Sequence, residues 1–394
     1  MSLSTEIEKP KVSPLYDPKV RGTVFQIVLT ALIVFVAYEA FTNATENLQK
    51  AKIASGFGFW NSIAGFDIGQ RLIPYSATSS YGQAFWVGLW NTLLVASLGI
   101  IFATVLGFLV GIGRLSKNKI INFLSTIYVE VIRNTPLLLQ LLFWYNAVLK
   151  ALPEVRDSQA LGAGIFLNNR GLFTPEPIFG AAWPAVNWAI LIGIVAAIAF
   201  RSWAHKKQAA TGQQSPVFLV SLGLIVGLPL LVFFAVGQPL SFNHVNLGRF
   251  NISGGLQIYP EFVALLLGLV IYTGSFIAEV VRAGIQSVYK GQSEAAHALG
   301  LRPGPTLRLV TIPQAMRVII PPLTSQYLNL TKNSSLAVAV GYPDLVQIFT
   351  GTVLNQTGQA VEIVAITMLV YLTISLTTSL LMNWYNARKA LVER

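Results

Sequence analysis

Long apolar segments recur along this chain and constrain its fold more than any motif does. A helix of roughly 20 apolar residues crosses the hydrocarbon core of a bilayer. Only 11% of the 394 residues are charged, whereas a soluble domain carries about 25%. The chain is therefore predicted to be an all-α integral membrane protein. We predict eight transmembrane spans, at residues 22–41, 84–112, 120–149, 185–203, 216–236, 260–288, 316–340 and 363–385.

The distribution of Lys and Arg predicts how the chain is oriented in the membrane. The net charge is +11, and cytoplasmic loops are the ones enriched in Lys and Arg. Placing the N-terminal tail in the cytoplasm puts most of these residues on the inner side, among them Arg114, Lys206 and Lys290. Both termini are therefore expected in the cytoplasm. The first span is longer than the apolar core of a signal peptide, so a retained helix is favoured over a cleaved leader.

Several classes of site are excluded by the residues that the sequence lacks. There are no cysteines, and His205, His244 and His297 are not spaced as metal ligands, so neither a metal site nor a catalytic residue is predicted. No GxxxxGK[ST] phosphate-binding loop occurs, so the chain is not expected to bind ATP itself. Nothing resembles a nucleic-acid platform, and nucleic acid is not an expected partner.

A short helix is predicted in the inner loop between the sixth and seventh spans. Ser293 is a good N-cap, and Glu294 would lie in a first turn, where the helix dipole favours a carboxylate. Gly300 is a natural helix stop, and Pro303 and Pro305 prevent continuation. A helix of about two turns is too short to be stable alone, so contacts must hold it. An ordinary surface helix is the alternative to a docking element.

Ionisable residues within the predicted spans are candidates for a translocation pathway. Glu130 and Arg133 are three residues apart on one helix face, and Lys332 lies in the seventh span. Charges at that depth are costly and normally face a cavity or a partner. Glu130 and Arg133 could instead neutralise each other. A second pair, Glu279 and Arg282, is expected to form a gate or a structural ion pair. The neighbouring polar residues expected along the same pathway are Asn134, Thr135, Asn333, Ser334 and Ser335.

The loop sequence resembles a known motif. Glu294-Ala295-Ala296, then Gly300, then Val310-Thr311-Ile312-Pro313, is similar to the EAA loop of bacterial ABC-importer permeases. Val310 and Ile312 stand in for the usual aliphatic residues. The segments that resemble the polar-amino-acid branch of that family are 133–140, 278–284, 291–301, 312–315 and 332–336.

The resemblance implies a five-helix permease core, a cytoplasmic coupling helix, and extra helices like those of the longer permeases of general L-amino-acid importers. The implied divisions are a cytoplasmic tail at 1–21, an extra helix at 22–41, a periplasmic segment at 42–83, the first part of the core at 84–150, inserted periplasmic segments and a helix pair at 151–259, the second part of the core at 260–386 with the coupling loop at 289–313, and a cytoplasmic tail at 387–394.

The resemblance also implies what such a chain does. It would form half of the pathway of an ATP-driven amino-acid importer in the bacterial inner membrane. The implied partners are an ABC ATPase dimer that carries ATP and magnesium, a second, similar permease in a heterodimer, and a periplasmic amino-acid-binding protein. No cofactor would be bound by this chain. The residues expected to contact the ATPase are Glu294, Ala295, Ala296 and Gly300.

Two other functions compete with an importer subunit. An ion-coupled secondary transporter would contain inverted repeats and midplane carboxylates, but no repeat is evident and Glu130 is the one carboxylate deep in a predicted span. An intramembrane enzyme is disfavoured because no HExxH or GxSxG motif occurs. The segments 42–83 and 150–183, with Trp60 and Trp183, are either interfacial or a docking surface for an outer protein.

Overall fold

The computed structural model of the chain describes residues 18–50, 55–248 and 252–389. Most of the predicted N-terminal tail, and residues 390–394 of the predicted C-terminal tail, therefore lie outside the described residues. Within them the architecture is mostly helical, which confirms the predicted fold class.

Thirteen α-helices are found in the described ranges. They are α1 Pro18–Lys50, α2 Tyr81–Gly113, α3 Lys119–Arg133, α4 Leu137–Leu142, α5 Trp183–Thr211, α6 Val217–Leu222, α7 Leu228–Ala235, α8 Pro260–Gln286, α9 Lys290–Ala298, α10 Pro303–Thr306, α11 Ile312–Asn333, α12 Leu354–Thr357 and α13 Ala360–Lys389. Wider π-helical turns extend or join some of them, at Phe143–Leu149, Gly223–Gly227, Leu307–Thr311 and Val346–Val353, and a 3-10 turn at Ser334–Ala339 follows α11.

Six helical segments of the described chain are long and apolar enough to cross a membrane. They correspond to the first, second, fourth, fifth, sixth and eighth predicted spans. A shorter apolar helix, Leu137–Leu149, is the second half of the predicted third span. The expected count of about eight is consistent with these helices together with α11, which carries Arg317 and Lys332 and is less apolar.

Two predicted spans differ in detail from the observed helices. The segment 120–149 is not one helix, because the chain breaks at residues 134–136 between α3 and α4. Pro136 disfavours helical backbone at the residue before it, which explains the break. The sequence Pro321-Pro322 would be expected to break the seventh span, but α11 continues through both prolines. The helix 346–357, ended by Gly358 at φ +71°, was not predicted.

Short strands occupy the predicted periplasmic insertion and were not predicted either. They are β1 Gln159–Gly162, β2 Ile165–Asn168, β3 Gly171–Thr174, β4 Glu176–Phe179, β5 Leu240–Asn243, β6 Asn246–Leu247, β7 Ile252–Ser253 and β8 Leu256–Ile258. They form an antiparallel sheet in the order β1-β2-β3-β8 and two separate pairs, β4-β5 and β6-β7. These strands connect α4 to the hairpin of α5 and α7, and that hairpin to α8.

Small residues let the core helices approach closely. A Cβ added at Gly107 would lie 2.5 Å from Ile277, and one at Gly284 would lie 2.3 Å from Ile319. One turn further along α2, Gly111 meets Val281 of α8, so the two helices run parallel. Leu330 of α11 meets Gly99, towards the start of α2, while Ile319 meets the end of α8, so α11 runs antiparallel to both. The end of the bundle at which α2 and α8 finish lies beside α9, and we call it the α9 end. The opposite end of the bundle, at which α2, α8 and α13 begin, we call the far end.

An aromatic cluster at the far end anchors the segment 55–80. Trp60 packs on Phe85 with ring centroids 5.2 Å apart and on Phe349 at 6.2 Å. Gly82 makes room for the indole, because a Cβ there would lie 2.4 Å from its Nε1 atom. The Tyr81 hydroxyl donates to Gln356 Oε1 at 2.9 Å. Trp60 is half-buried and holds the segment 55–80 against α2 and the helix 346–357.

Candidate coupling and translocation sites

Helix α9 is a short element at one end of the bundle, between α8 and α10. It begins at Lys290, one turn earlier than the predicted cap at Ser293, and Tyr289 occupies the N-cap position without a side-chain bond. It ends in a Schellman motif, in which the Leu301 amide donates to Ala296 O and the Gly300 amide to His297 O. Gly300 has φ +81°, so the predicted glycine stop is confirmed. Pro303 is the first residue of α10, so it begins a new helix after α9 has ended.

The two faces of α9 differ in exposure. Glu294 and Ala295 are exposed, and Leu299 is 83% exposed. Ala296 is 4% exposed, so it faces the rest of the chain and not the outside. Ala295 and Leu299 are thus on the outer side of α9, and Ala296 is on its inner side. An amide contact at 3.4 Å, between Gln314 Nε2 and Gln292 Oε1, also ties α9 to the start of α11.

Three arginines surround one carboxylate where α2, α3 and α8 meet near the α9 end. The Glu279 carboxylate bonds the Arg114 guanidinium, lies 2.5 Å from Arg282 Nη2, and lies 3.9 Å from Arg133 Nη1. The Glu279 side chain is 25% exposed and that of Arg114 is 10% exposed. Arg114 also lies 3.6 Å from Glu130. This cluster, which we call the Glu279 cluster, carries one more positive than negative charge.

Glu130 and Arg133, predicted to lie on one face, have their salt-bridge partners on other helices. Arg133 also places its guanidinium carbon 5.2 Å from the centre of the Phe276 ring. Next to it, the Asn134 side chain donates to Glu130 O and the Thr135 hydroxyl to Val131 O, at 2.7 and 2.8 Å. Those two polar groups therefore satisfy carbonyls at the end of α3.

The Gln140 side chain bridges the break between α3 and α4. Its Nε2 atom donates to Ile132 O and to Thr135 O, both at 3.0 Å. Because these carbonyls have lost their helical partners, the amide stabilises the break. Sequence reasoning missed this role, although Gln140 closes the segment 133–140 and follows Pro136 by one helical turn.

Lys332 lies at the end of α11, just before the helix tightens into the 3-10 turn. It is exposed, and among the described residues no carboxylate lies within 4.0 Å of its ammonium group. Ser334 and Ser335 donate to Thr331 O and Lys332 O, both at 2.7 Å, while Asn333 is half-buried. The turn packs on α4 and α8, so the two helix breaks meet in the same part of the bundle.

Comparison with known proteins identifies the family. The family of binding-protein-dependent transport system inner membrane components matches residues 189–391. The general L-amino acid transport system permease protein AapQ of Rhizobium johnstonii is 55% identical over 97% of this chain and 95% of its own length. The chain belongs to this transport-permease family. The resemblance drawn from the EAA-type loop is therefore confirmed.

Two further relatives match this permease over nearly its whole length. The putative amino-acid ABC transporter permease protein YhdX of Escherichia coli K12 is 51% identical over 96% of each chain. The glutamate/glutamine/aspartate/asparagine transport system permease protein BztB of Rhodobacter capsulatus is 40% identical, also over 96% of each chain. These matches include α1 and the hairpin of α5 and α7, so the extra helices belong to this kind of permease.

Proposed function

We propose that this permease forms half of the translocation pathway of an ATP-driven importer of L-amino acids, and that α9 couples it to a separate ATPase. The substrate class follows from the relatives, whose names state amino-acid transport. The observation that carries the coupling role is α9 itself, a nine-residue helix with Glu294 and Leu299 exposed and Ala296 seated inward.

The attachment of α9 supports a role in transmitting movement. Helices α8 and α11 flank it and pack directly on each other through Gly284 and Ile319. A force on α9 would therefore reach two core helices, and both contribute to the region around the Glu279 cluster and Lys332. In this proposal ATP and magnesium are held by the ATPase dimer, and no cofactor is held by the permease.

Exposed charges support pairing with a second permease. Glu130, Arg133 and Lys332 are exposed in the single chain although they lie on core helices. Charged groups at such positions normally face an aqueous cavity or a partner. A second, similar permease would enclose these charged groups around a shared pathway. Both termini of this chain would lie in the cytoplasm. A periplasmic binding protein would deliver the amino acid from the other side.

Co-purification of the tagged full chain from native membranes in mild detergent tests this proposal. Mass spectrometry is expected to identify an ABC ATPase and a second permease in the recovered complex. A second permease of different sequence would establish a heterodimer, and recovery of this chain alone with an ATPase would establish a homodimer. An intact, well-folded chain without any ATPase would overturn the proposal in favour of ion-coupled transport.

A further inference from the structure

A pocket of about 300 Å³ opens at the far end of the bundle, opposite α9. This volume is at the small end of the range of roughly 300–1,000 Å³ in which proteins bind small molecules. Three parts of the chain form it: the loop before α2, the start of α8, and the connection after α11. The lining residues that carry the argument are Asp67, Gln70, Tyr259, Glu261 and Gln347.

The pocket is lined by acceptors of hydrogen bonds. Glu261 Oε1 accepts from the Tyr145 hydroxyl at 2.7 Å, which fixes the carboxylate. Within the described ranges no Lys, Arg or His nitrogen lies within 4.0 Å of Glu261. Gln70 Oε1 is buried and has no hydrogen-bond partner among the residues that the structure describes. A carboxylate without a counter-charge and an unpartnered amide oxygen both require a donor.

The second carboxylate and the pocket wall are also held in place. Asp67 pairs with Arg71 at 2.7 Å and accepts from the Ile68 amide at 2.9 Å. A Cβ at position 69 would lie 3.2 Å from the Tyr259 hydroxyl, so Gly69 allows the loop to approach that wall.

We propose that this pocket binds the ammonium group of a free amino acid at the far end of the permease, before the amino acid reaches the membrane interior. Glu261 supplies the counter-charge, and the oxygens of Gln70 and Asp67 accept the remaining N–H bonds. The inference rests on the proposed import function, because that function makes the far end the side from which substrate arrives.

An ammonium group fits these residues better than a metal ion does. In the part of the chain that the structure describes, no group of three or more His, Cys, Asp or Glu side chains could hold a metal. The Glu261 carboxylate, the Asp67 carboxylate that is already paired with Arg71, and the neutral Gln70 oxygen together suit a single positive charge that carries several N–H donors.

The absence of cysteine from the chain allows a direct test. Thr352→Cys places a thiol in the pocket wall, and the full chain in lipid nanodiscs is treated with cationic or anionic methanethiosulfonate reagents. The cationic reagent is expected to react faster. Alanine and alaninamide, which carry the ammonium group, should slow the reaction, whereas propionate, which lacks it, should not. Thr78→Cys, exposed at the same end, is the control and should show no protection.

A second substitution identifies the counter-charge. Adding Glu261→Gln to Thr352→Cys should weaken protection by alanine about tenfold, because the glutamine oxygen can still accept a hydrogen bond but no longer carries the charge that strengthens it. Equal protection by propionate and alaninamide, or no protection in the chain that keeps Glu261, would overturn the proposal. Protection by sodium or calcium ions alone would overturn it in favour of a cation site. These outcomes need no ATPase, so they are distinguishable from failure of the proposed import function.

Discussion

At the scale of single residues, Glu279 is the acid on which the Glu279 cluster is built. Its carboxylate faces Arg114, Arg133 and Arg282 and is the acid closest to all three. We expect Glu279→Gln to lower the free energy of unfolding by about 2 kcal/mol. That is less than the roughly 3–5 kcal/mol for breaking a fully buried ion pair, because the side chain is one quarter exposed.

Glu130→Gln is the matched control for that prediction. The Glu130 side chain is 59% exposed and contacts only Arg114 in the cluster, at 3.6 Å. Exposed ion pairs contribute about 0–1 kcal/mol, so this variant should unfold almost like the wild type. Thermal unfolding of both variants in the same detergent measures the difference. An equal loss of stability in Glu279→Gln and Glu130→Gln would mean that the cluster is not centred on Glu279.

At the scale of elements, the backbone turn that ends α9 at Gly300 sets the direction in which α9 faces the proposed ATPase. Gly300 is at φ +81°, and no atom of the described chain lies within 4 Å of an added Cβ, so within the permease a substitution there acts through the backbone. A side chain in this conformation costs about 1–2 kcal/mol. Gly300→Val is therefore expected to reduce ATP-driven amino-acid uptake at equal expression in membranes.

Gly304→Ala tests whether the effect of Gly300→Val comes from the conformation of the backbone. Gly304 lies in α10 without a positive φ, and an added Cβ meets no atom within 4 Å. Uptake by this variant should be unchanged, since alanine is the better helix former. A similar loss in both variants would indicate that the surface around α9 tolerates no added bulk and would contradict the conformational explanation.

We expect the rest of the permease to insert into the membrane without the hairpin of α5 and α7. Its two arms pack on each other, with Gly193 of α5 against the Leu224 backbone. The chain enters and leaves it at adjacent points, because the Gly180 amide donates to Pro239 O at 3.0 Å. Removing residues 181–238 thus requires only a short join and keeps the direction of α8.

We expect that deletion to leave the core inserted, with both termini still on the same side of the membrane. Reporter fusions at the C-terminus and in the α9 loop measure this. A terminus that moves to the other side would show that the hairpin is required to orient α8. The same deletion variant, purified through a tag, shows whether the partners proposed above are still recovered.

How much of these elements could be predicted from the sequence depends on how far apart in the sequence the interacting residues are. The apolar helices and the Gly300 stop were predictable because hydropathy and backbone conformation act locally. The break at 134–136 was missed because the residues on both sides are apolar, and the 346–357 helix because it is short. The pair of Glu279 and Arg282 was predictable because the two residues are three apart on one helix. The approach of Arg114 to that pair, and the pocket at the far end, could not be predicted, since Arg114 and Glu279, or Asp67 and Glu261, are far apart in sequence.

At the scale of the whole molecule, the proposed pairing makes the single permease half of an enclosure. Lys332 is exposed without an acidic neighbour in the described chain, at a place where α11 ends and α4 packs on the turn that follows. If the proposed pairing is right, this ammonium group faces either the shared pathway or an acid of the second permease. The two possibilities differ in what the complex loses when the charge is removed.

Lys332→Ala is expected to reduce amino-acid uptake while the complex with the ATPase and the second permease still assembles. A cation in the pathway stabilises the passing carboxylate, whereas assembly depends on the larger apolar surface. Uptake in whole cells and recovery of partners through a tag, measured on the same variant, separate these effects. Loss of the partners would make Lys332 part of the subunit interface, and Lys332→Arg, which keeps the charge, should then restore assembly.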